Sequence, residues 1–353
     1  MLRPASLPRL GYRPQLDGLR TVAVGLVVLD HAQAQTLRGG GWVGVGIFFA
    51  LSGFLITKLM LEEWHEHSRI RLGAFYARRA RRLLPALATL LVTLLVASFA
   101  LGEPRLRQGI AWAALYVANL APGGTLGLLN HTWSLAVEEH FYLVWPLALG
   151  VMLKGSVSGK LLRWVLLLAL LSAGWRYLLV WHGANYERVH RFTDGRVESL
   201  LAGCAAAMWF HSGRSLPSRS VVAPVSLALL GCAFLDPARY HWVGAIGISV
   251  VAWGTAVVLL LLMTAEPSVL VAPAAVWLGR ISYGIYLWHF PLLRLMRRAL
   301  PGAAGAALAV VGTLIAACVS WYLVERRFLP RRGQAAVQHV APAAQASLDR
   351  EML

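Results

Sequence analysis

Apolar runs long enough to cross a bilayer core ~30 Å thick recur along the whole chain. They begin near Leu19, Trp42, Leu83, Trp133, Leu161, Val197, Val221, Trp242, Ala275 and Ala303. The loops between them are too short to hold a soluble domain, and no fixed-period repeat is visible. The pattern predicts an all-α polytopic membrane protein of about ten transmembrane helices in one bundle. One further run, Ile110 to Leu120, is too short to cross and is expected to be re-entrant or interfacial. As a full span it would invert the topology of everything after it. On these boundaries residues 1–18 are an N-terminal segment and 19–328 the membrane domain. Residues 329–353 form a tail of Ala, Gln, Pro and single charges, expected to be disordered. No small-residue cleavage site follows the first run, which is therefore expected to persist as a helix.

Composition agrees. Of 353 residues, 58% are hydrophobic and 14% charged, against roughly a quarter charged in soluble domains. Disorder is excluded, and an ordinary soluble fold nearly so. The 33 Lys and Arg outnumber the 16 Asp and Glu to give +17. That excess does not point to nucleic acid, because the basic residues cluster between apolar runs, as in loops facing cytoplasm and anionic lipid. With Arg3, Arg9, Arg13 and Arg20 cytoplasmic, the Arg69–Arg82 loop, Lys154, Lys160 and Arg163, Arg214 and Arg219, and Arg326 to Arg332 all fall inside, so both termini are cytoplasmic. Arg105, Arg107, Arg294, Arg297 and Arg298 break the rule on the outer side, where they either bind an anionic ligand or are merely tolerated. Cys204, Cys232 and Cys318 lie in apolar surroundings without disulfide or metal-ligand spacing, and read as packing residues.

Ionisable residues inside an apolar run are costly and are functional candidates by default. The first run holds Arg20, Asp30 and His31. Arg20 and His31 are three helical turns plus ~20° apart, so they share a face at ~16 Å separation along the axis. A phosphate held at Arg20 with chemistry at His31 fits a long donor with an anionic head; lipid snorkelling for Arg20 and an interhelical hydrogen bond for His31 are the bland alternative. Asp30 points ~100° away from His31 and either tunes it indirectly or pairs with an arginine elsewhere.

Gly44, Gly46, Ser52 and Gly53 read as a small-residue packing face. The cluster Arg78, Arg79, Arg81 and Arg82 reads from charge alone as a topology anchor, with phosphate binding as the alternative. Glu138 and Glu139 start the fourth run on its outer side, where one is expected in interfacial water and the other beside a catalytic histidine. The segment from Glu187 to Glu198, with Arg188, Arg191, Asp194 and Arg196, reads as an outer loop suited to a hydroxyl-rich acceptor or simply solvated. In the ninth run, Tyr283 and Tyr286 fit interfacial anchoring, whereas His289 is a second membrane-proximal imidazole.

Taken in order, LDGLR with His31 following, FFALSGFLIT, RARRLLP, WSLAVEEHFYLVWP, TDGRVESLLAG and LGRISYGIYLWHFP resemble the acyltransferase 3 family of bacterial integral-membrane O-acyltransferases, from about Arg13 to Arg327. The resemblance implies an inner-membrane enzyme that takes an acyl group, by default acetyl, from cytoplasmic acyl-CoA. It would esterify a hydroxyl of a glycan or glycolipid on the far side, with no metal. It singles out Arg20 and His31, Arg79 with Arg82 for the donor, and Glu138 over Glu139. His31 is then expected as general base or transient acyl carrier with Glu138 supporting it, and Asp30, Arg196, Tyr283 and His289 as acceptor-side residues. Gly46 stands where relatives often have a polar residue, and Arg327 where they often have proline. No fused esterase-like domain is present in the sequence, so an accessory esterase-like protein is an open expectation. The rival expectation is a proton-coupled transporter using His31, Asp30 and Glu138 as a relay.

Overall fold

The computed structural model describes residues 9–32, 39–100, 104–154, 160–236, 239, 243–265 and 267–329. The tail from residue 330 with Arg331 and Arg332, the first eight residues with Arg3, and the start of the run at Trp242 lie outside the described residues, as do the side chains of Arg105 and Arg219. Among the described residues the chain is helical, without strands: α1 (Pro14–His31), α2 (Gly40–His67), α3 (Leu72–Ala100), α4 (Pro104–Ala114), α5 (Trp133–Lys154), α6 (Leu161–Trp181), α7 (Tyr186–Arg191), α8 (Thr193–His211), α9 (Val222–Ala233), α10 (Ile248–Leu262), α11 (Ser268–Val271), α12 (Pro273–Arg280), α13 (Ser282–Ala299), α14 (Ala303–Ser320) and α15 (Arg326–Phe328).

Among the described residues, six helical stretches are long and apolar enough to cross a membrane: Gly40–His67, Leu72–Ala100, Gly127–Lys154, Leu161–Trp181, Val243–Leu262 and Ala303–Phe328. The expected count of about ten is not established by this criterion. The four remaining runs fall on α1, α8, α9 and α13. Helix α9 has only 12 residues. Each of the others carries three charged residues: Asp17, Arg20 and Asp30; Asp194, Arg196 and Glu198; Arg294, Arg297 and Arg298. The helices that fail on apolarity are thus the ones that bring ionisable groups together. The predicted run from Ala275 is broken at Ile281 into α12 and α13.

Burial sorts centre from rim. The apolar windows of α2 and α10 are 78% and 61% buried, against 22% for α6 and α14. Leu170, Leu171 and Trp181 on α6, and Val311 and Ile315 on α14, face outward as lipid-facing side chains must. The centre is held by backbone approach. A Cβ at Gly53 would meet the Leu200 carbonyl and one at Gly203 the Ala50 carbonyl, so α2 and α8 cross at a distance only glycine permits. Gly44 does the same against Ala23 of α1. Packing is therefore the role of Gly44 and Gly53, as their residue types suggested.

Helix α4 has 11 residues and rises ~16 Å, too little to cross. The chain then returns through short helical turns at Ala118–Leu120 and Gly127–Thr132, whose Asn119, Leu129 and His131 are buried. Such backbone is tolerated at depth only against protein, and it delivers His131 to the interior. Prolines do complementary work. Pro291 in α13 cannot donate to the carbonyl of Leu287 four residues earlier, and that carbonyl accepts from His131 Nε2 at 3.1 Å. Pro146 in α5 likewise frees the carbonyl of Tyr142, which accepts from the Tyr76 hydroxyl at 3.3 Å.

Candidate active site

The interior polar groups form two clusters at opposite ends of α1. At the Arg20 end, Arg20 Nη1 donates to Asp17 Oδ1 at 2.6 Å. Arg79 Nε and Nη2 both donate to Glu139 Oε1, at 2.9 and 2.7 Å, while the guanidinium lies 3.2 Å from the centre of the Tyr142 ring. This is a planar cation held by a charge-assisted fork and an aromatic face, a geometry lysine does not reproduce. Arg82, one turn on, lies within electrostatic range of Arg20 and Arg79. Arg78 and Arg81 sit on the neighbouring face, where Arg81 bonds only the Ala77 carbonyl of its own helix. Helical spacing thus divides the arginine run into one pair turned toward Arg20 and one turned away.

Glu138 accepts from the Ser52 hydroxyl at 2.6 Å and feels Arg79 and Arg20. It is not bonded to His31. The expected support of His31 by Glu138 is therefore not what the structure assembles: α5 enters the bundle deeply enough that both Glu138 and Glu139 meet groups of the Arg20 end rather than outer water. Ser52, read from sequence as a packing residue, is the partner of Glu138. The His31–Asp30–Glu138 relay of the transporter reading is not continuous either. Tyr283 also belongs to this half, its hydroxyl donating to the Leu83 carbonyl at 3.3 Å. It ties α13 to α3 rather than facing His31.

At the other end, three imidazoles converge. His31 Nδ1 lies 3.0 Å from the carbonyl of Val27, which can only accept, so Nδ1 carries the proton. His289 Nδ1 donates to the Tyr286 carbonyl at 2.6 Å, leaving its Nε2 as an acceptor 3.3 Å from His31 Nδ1. The two bonds fix one tautomer of His31 and leave its Nε2 with a free lone pair. His131 bonds the Leu287 carbonyl through Nε2, has no partner for Nδ1 among the described residues, and lies with its ring 5.3 Å from that of His289. Its backbone carbonyl accepts from the Tyr286 hydroxyl at 2.9 Å, which also bonds Ser134 at 2.6 Å. His131 and Ser134 were not singled out by sequence, and Tyr286 was read there only as an interfacial anchor. The available signal was the histidine two residues before the WSL motif.

A cavity of 270 Å³ opens at this end, lined by Asp30, His31, Phe290, Leu293, Arg294, Arg297 and Arg298. Phe290 meets the His31 ring edge-on at 5.1 Å between centres. Asp30 packs against Gly41, where a Cβ would lie 2.5 Å from its Oδ2.

The segment expected to be an outer loop is instead α7 followed by the start of α8, which turns inward. The Thr193 hydroxyl joins His140 of α5, at 3.0 Å, to Asn119 of the returning turn, at 3.2 Å. Asp194 pairs with Arg188. Glu198 is bound by Arg176 at 2.6 Å, Ser249 at 3.0 Å and Trp253 at 2.9 Å, a satisfied internal network. Arg196 differs. It is fully buried, its guanidinium stands 5.2 Å over the Phe49 ring, and its Nε and Nη2 have no hydrogen-bond partner among the described residues. A Cβ at Gly46 would sit 3.9 Å from Nη2, so the glycine that departs from the family pattern is the position that faces this cation. A buried unpaired donor calls for a missing acceptor, and His190 feels both Arg196 and His31, which places Arg196 near the His31 cluster.

The family model described as an acyltransferase domain matches residues 13–325. The chain is 34% identical to the peptidoglycan O-acetyltransferase OatA of Listeria monocytogenes, over 89% of this chain and 55% of that protein. It is 31% identical to the O-acetyltransferase OatA of Staphylococcus aureus, over 80% of this chain and 51% of that protein. The chain therefore spans about half the length of these relatives. No solved structure matches it. With its motifs in order and the match running from the first helix to the end of the last span, the chain belongs to the acyltransferase 3 family of membrane-embedded acyltransferases.

Proposed function

We propose that the protein is an O-acetyltransferase of the bacterial inner membrane that moves an acetyl group from acetyl-CoA to a hydroxyl of a glycan such as peptidoglycan. The observation that carries this is α1 itself: one helix holds a phosphate-competent cation at one end and, ~16 Å away on the same face, an imidazole locked with its Nε2 lone pair free. Arg20, Arg79 and Arg82 hold the CoA phosphates from the cytoplasmic side, where both termini also lie. At the far end His31 Nε2 takes the proton of the acceptor hydroxyl as its oxygen attacks the thioester carbonyl. The C–S bond breaks, and the CoA thiolate leaves and is protonated. In the two-step variant Nε2 itself attacks first and the acyl group passes through His31. Arg196, with donors unused, is suited to the carbonyl oxygen as it gains charge. Asp30 and His289 hold the acceptor side, and Glu138, through Ser52, the donor side.

The test is purified protein with labelled acetyl-CoA and a glycan acceptor, wild type beside His31→Ala, following CoA release and label on the protein. A positioned imidazole contributes ~10²–10⁴ in rate, so release is expected to fall by that factor in a variant that elutes as a folded protein. Label retained on wild type indicates the two-step route. Turnover that survives in His31→Ala overturns the assignment, and transfer only after adding membrane extract points to an accessory protein.

A further inference from the structure

Helix α13 continues past Phe290 into Leu293, Arg294, Arg297 and Arg298, all of which line the cavity that His31 and Asp30 open into. Positions 290, 294 and 298 are four residues apart and 297 is three from 294, so they form one stripe along the helix. Among the described residues that line the cavity, three guanidinium groups and one carboxylate therefore accompany the reactive imidazole. Neither Arg294 nor Arg298 forms an ion pair with a carboxylate among the described residues, and both are exposed to the cavity mouth. The Arg294 guanidinium lies 5.1 Å over the Phe290 ring, whose edge in turn meets His31, so the charged stripe and the imidazole share one continuous wall. Arg294 is near enough for its charge to act on His31.

A helix C-terminus favours cations by a few tenths of a kcal/mol up to ~1 kcal/mol, and arginines at a membrane boundary often serve lipid. Neither accounts for the stripe's direction. Dipole and headgroup contacts are satisfied by arginines pointing anywhere outward, whereas these turn with Phe290 and Leu293 into the same cavity as His31. The positive excess is also at the end of α1 opposite the Arg20 cluster, where the charge pattern of the loops leaves it unexplained.

We infer that Arg294 and Arg298, with Arg297 beside them, form an anion subsite that selects acceptors bearing a carboxylate or phosphate close to the hydroxyl that is acylated. The inference rests on the acyl-transfer reading, which supplies the reaction at His31. An acidic sugar places its anion against the arginine stripe and its hydroxyl toward His31 Nε2, with Phe290 against the ring. Asp30, which lines the same cavity from α1 beside His31, disfavours an anion next to it and so helps fix the orientation.

The experiment uses the full chain in nanodiscs and two matched acceptors: a disaccharide of N-acetylglucosamine and N-acetylmuramic acid with its free lactyl carboxylate, and the same disaccharide with the carboxylate blocked as a neutral methylamide. Acetyl transfer from labelled acetyl-CoA is measured on both. In parallel, equilibrium dialysis measures binding of the two disaccharides with no donor present. Wild type is expected to favour the acidic acceptor at least tenfold in kcat/KM, mostly through KM. The ratio should fall toward one in the double variant Arg294→Gln/Arg298→Gln and in 0.5 M salt, and persist in Arg298→Lys, which keeps the charge. Equal transfer to both acceptors by wild type overturns the inference and leaves the acyl-transfer reading standing. Absence of transfer to either, with preferential binding of the acidic sugar that the double variant loses, overturns the acyl-transfer reading and retains the anion subsite. Repeating the dialysis in phosphatidylcholine and phosphatidylglycerol discs separates the sources of the anion. If the double variant loses only bound phosphatidylglycerol and its acceptor ratio is unchanged, the arginines serve lipid and the inference fails.

Discussion

At the scale of single residues, two tyrosines one turn apart on the same helix have separate duties. Tyr286 sits in the imidazole cluster, its hydroxyl bonding the His131 carbonyl and Ser134, whereas Tyr283 bonds the Leu83 carbonyl at the other end of the site. Removing the Tyr286 hydroxyl leaves buried polar groups unsatisfied, at ~1–3 kcal/mol. Tyr286→Phe is therefore expected to lower the thermal midpoint by several degrees and, because the hydroxyl anchors the His131 backbone whose ring lies against His289, to cut turnover about tenfold, the equivalent of ~1.4 kcal/mol. Tyr283→Phe should lower stability by a similar amount while leaving the acceptor KM unaltered. Thermal unfolding and steady-state kinetics on both variants check this. An unaltered turnover in Tyr286→Phe would mean that the His131 arrangement is purely architectural.

The same residues show what a sequence discloses. Arg20, His31 and His289 stand out because an ionisable group in an apolar run demands an explanation. Ser52, Ser134 and Tyr286 do not, because small and aromatic residues are ordinary in such runs and only tertiary contacts reveal them as partners of Glu138 and His131. Glu138 and Glu139 were visible as unusual, but their depth was not. It depends on how far the chain from α4 folds back into the bundle before α5 begins.

Elements are placed by backbone proximity and by proline. Where α2 crosses α8, glycine is required on both helices, and a side chain at Gly203 would collide with backbone of α2, which no rotamer change relieves. Overpacking of this kind costs ~1–3 kcal/mol and often more when backbone must move. Gly203→Val is expected to reduce the yield of monodisperse protein severely, read by fluorescence-detected size exclusion and its melting profile. Gly174→Ala in α6, where nothing lies within 4 Å of the added atom, should be neutral or stabilising by ~0.5–1 kcal/mol. Equal behaviour of the two variants would contradict the close crossing. The helices themselves were legible from apolar runs, because length and hydropathy survive folding. The start of α8 was not, since Arg196 and Glu198 are buried in a segment that composition reads equally as an acceptor surface or a solvated loop. A signal was present in Thr193-Asp194-Gly195, an acidic first turn of the kind that opens helices.

Across the whole molecule, the two ends of α1 make separable contributions, and kinetics can tell them apart. The Arg20 cluster is built from α1, α3 and α5, and the imidazole cluster from α1, α13 and the turn before α5. If the first binds CoA phosphate and the second performs chemistry, substitutions should separate by parameter. Arg82→Ala removes one charge-assisted contact, ~1.5–3 kcal/mol, and is expected to raise KM for acetyl-CoA roughly 10- to 150-fold with kcat nearly retained at saturating donor. His31→Ala should lower kcat with little effect on donor KM, because its ring is three helical turns from the phosphates. Arg82 is the better probe than Arg79, whose removal would also strand Glu139 without its partner and mix folding with binding. The donor effect should weaken with salt, since exposed phosphate contacts are screened within ~10 Å at 0.1 M ionic strength. Titration of acetyl-CoA at fixed saturating acceptor, in low and high salt, gives both parameters in one series. A fall in kcat alone for Arg82→Ala would place the donor elsewhere. It would leave the arginine pair as a topology anchor, the role that charge alone assigned to it.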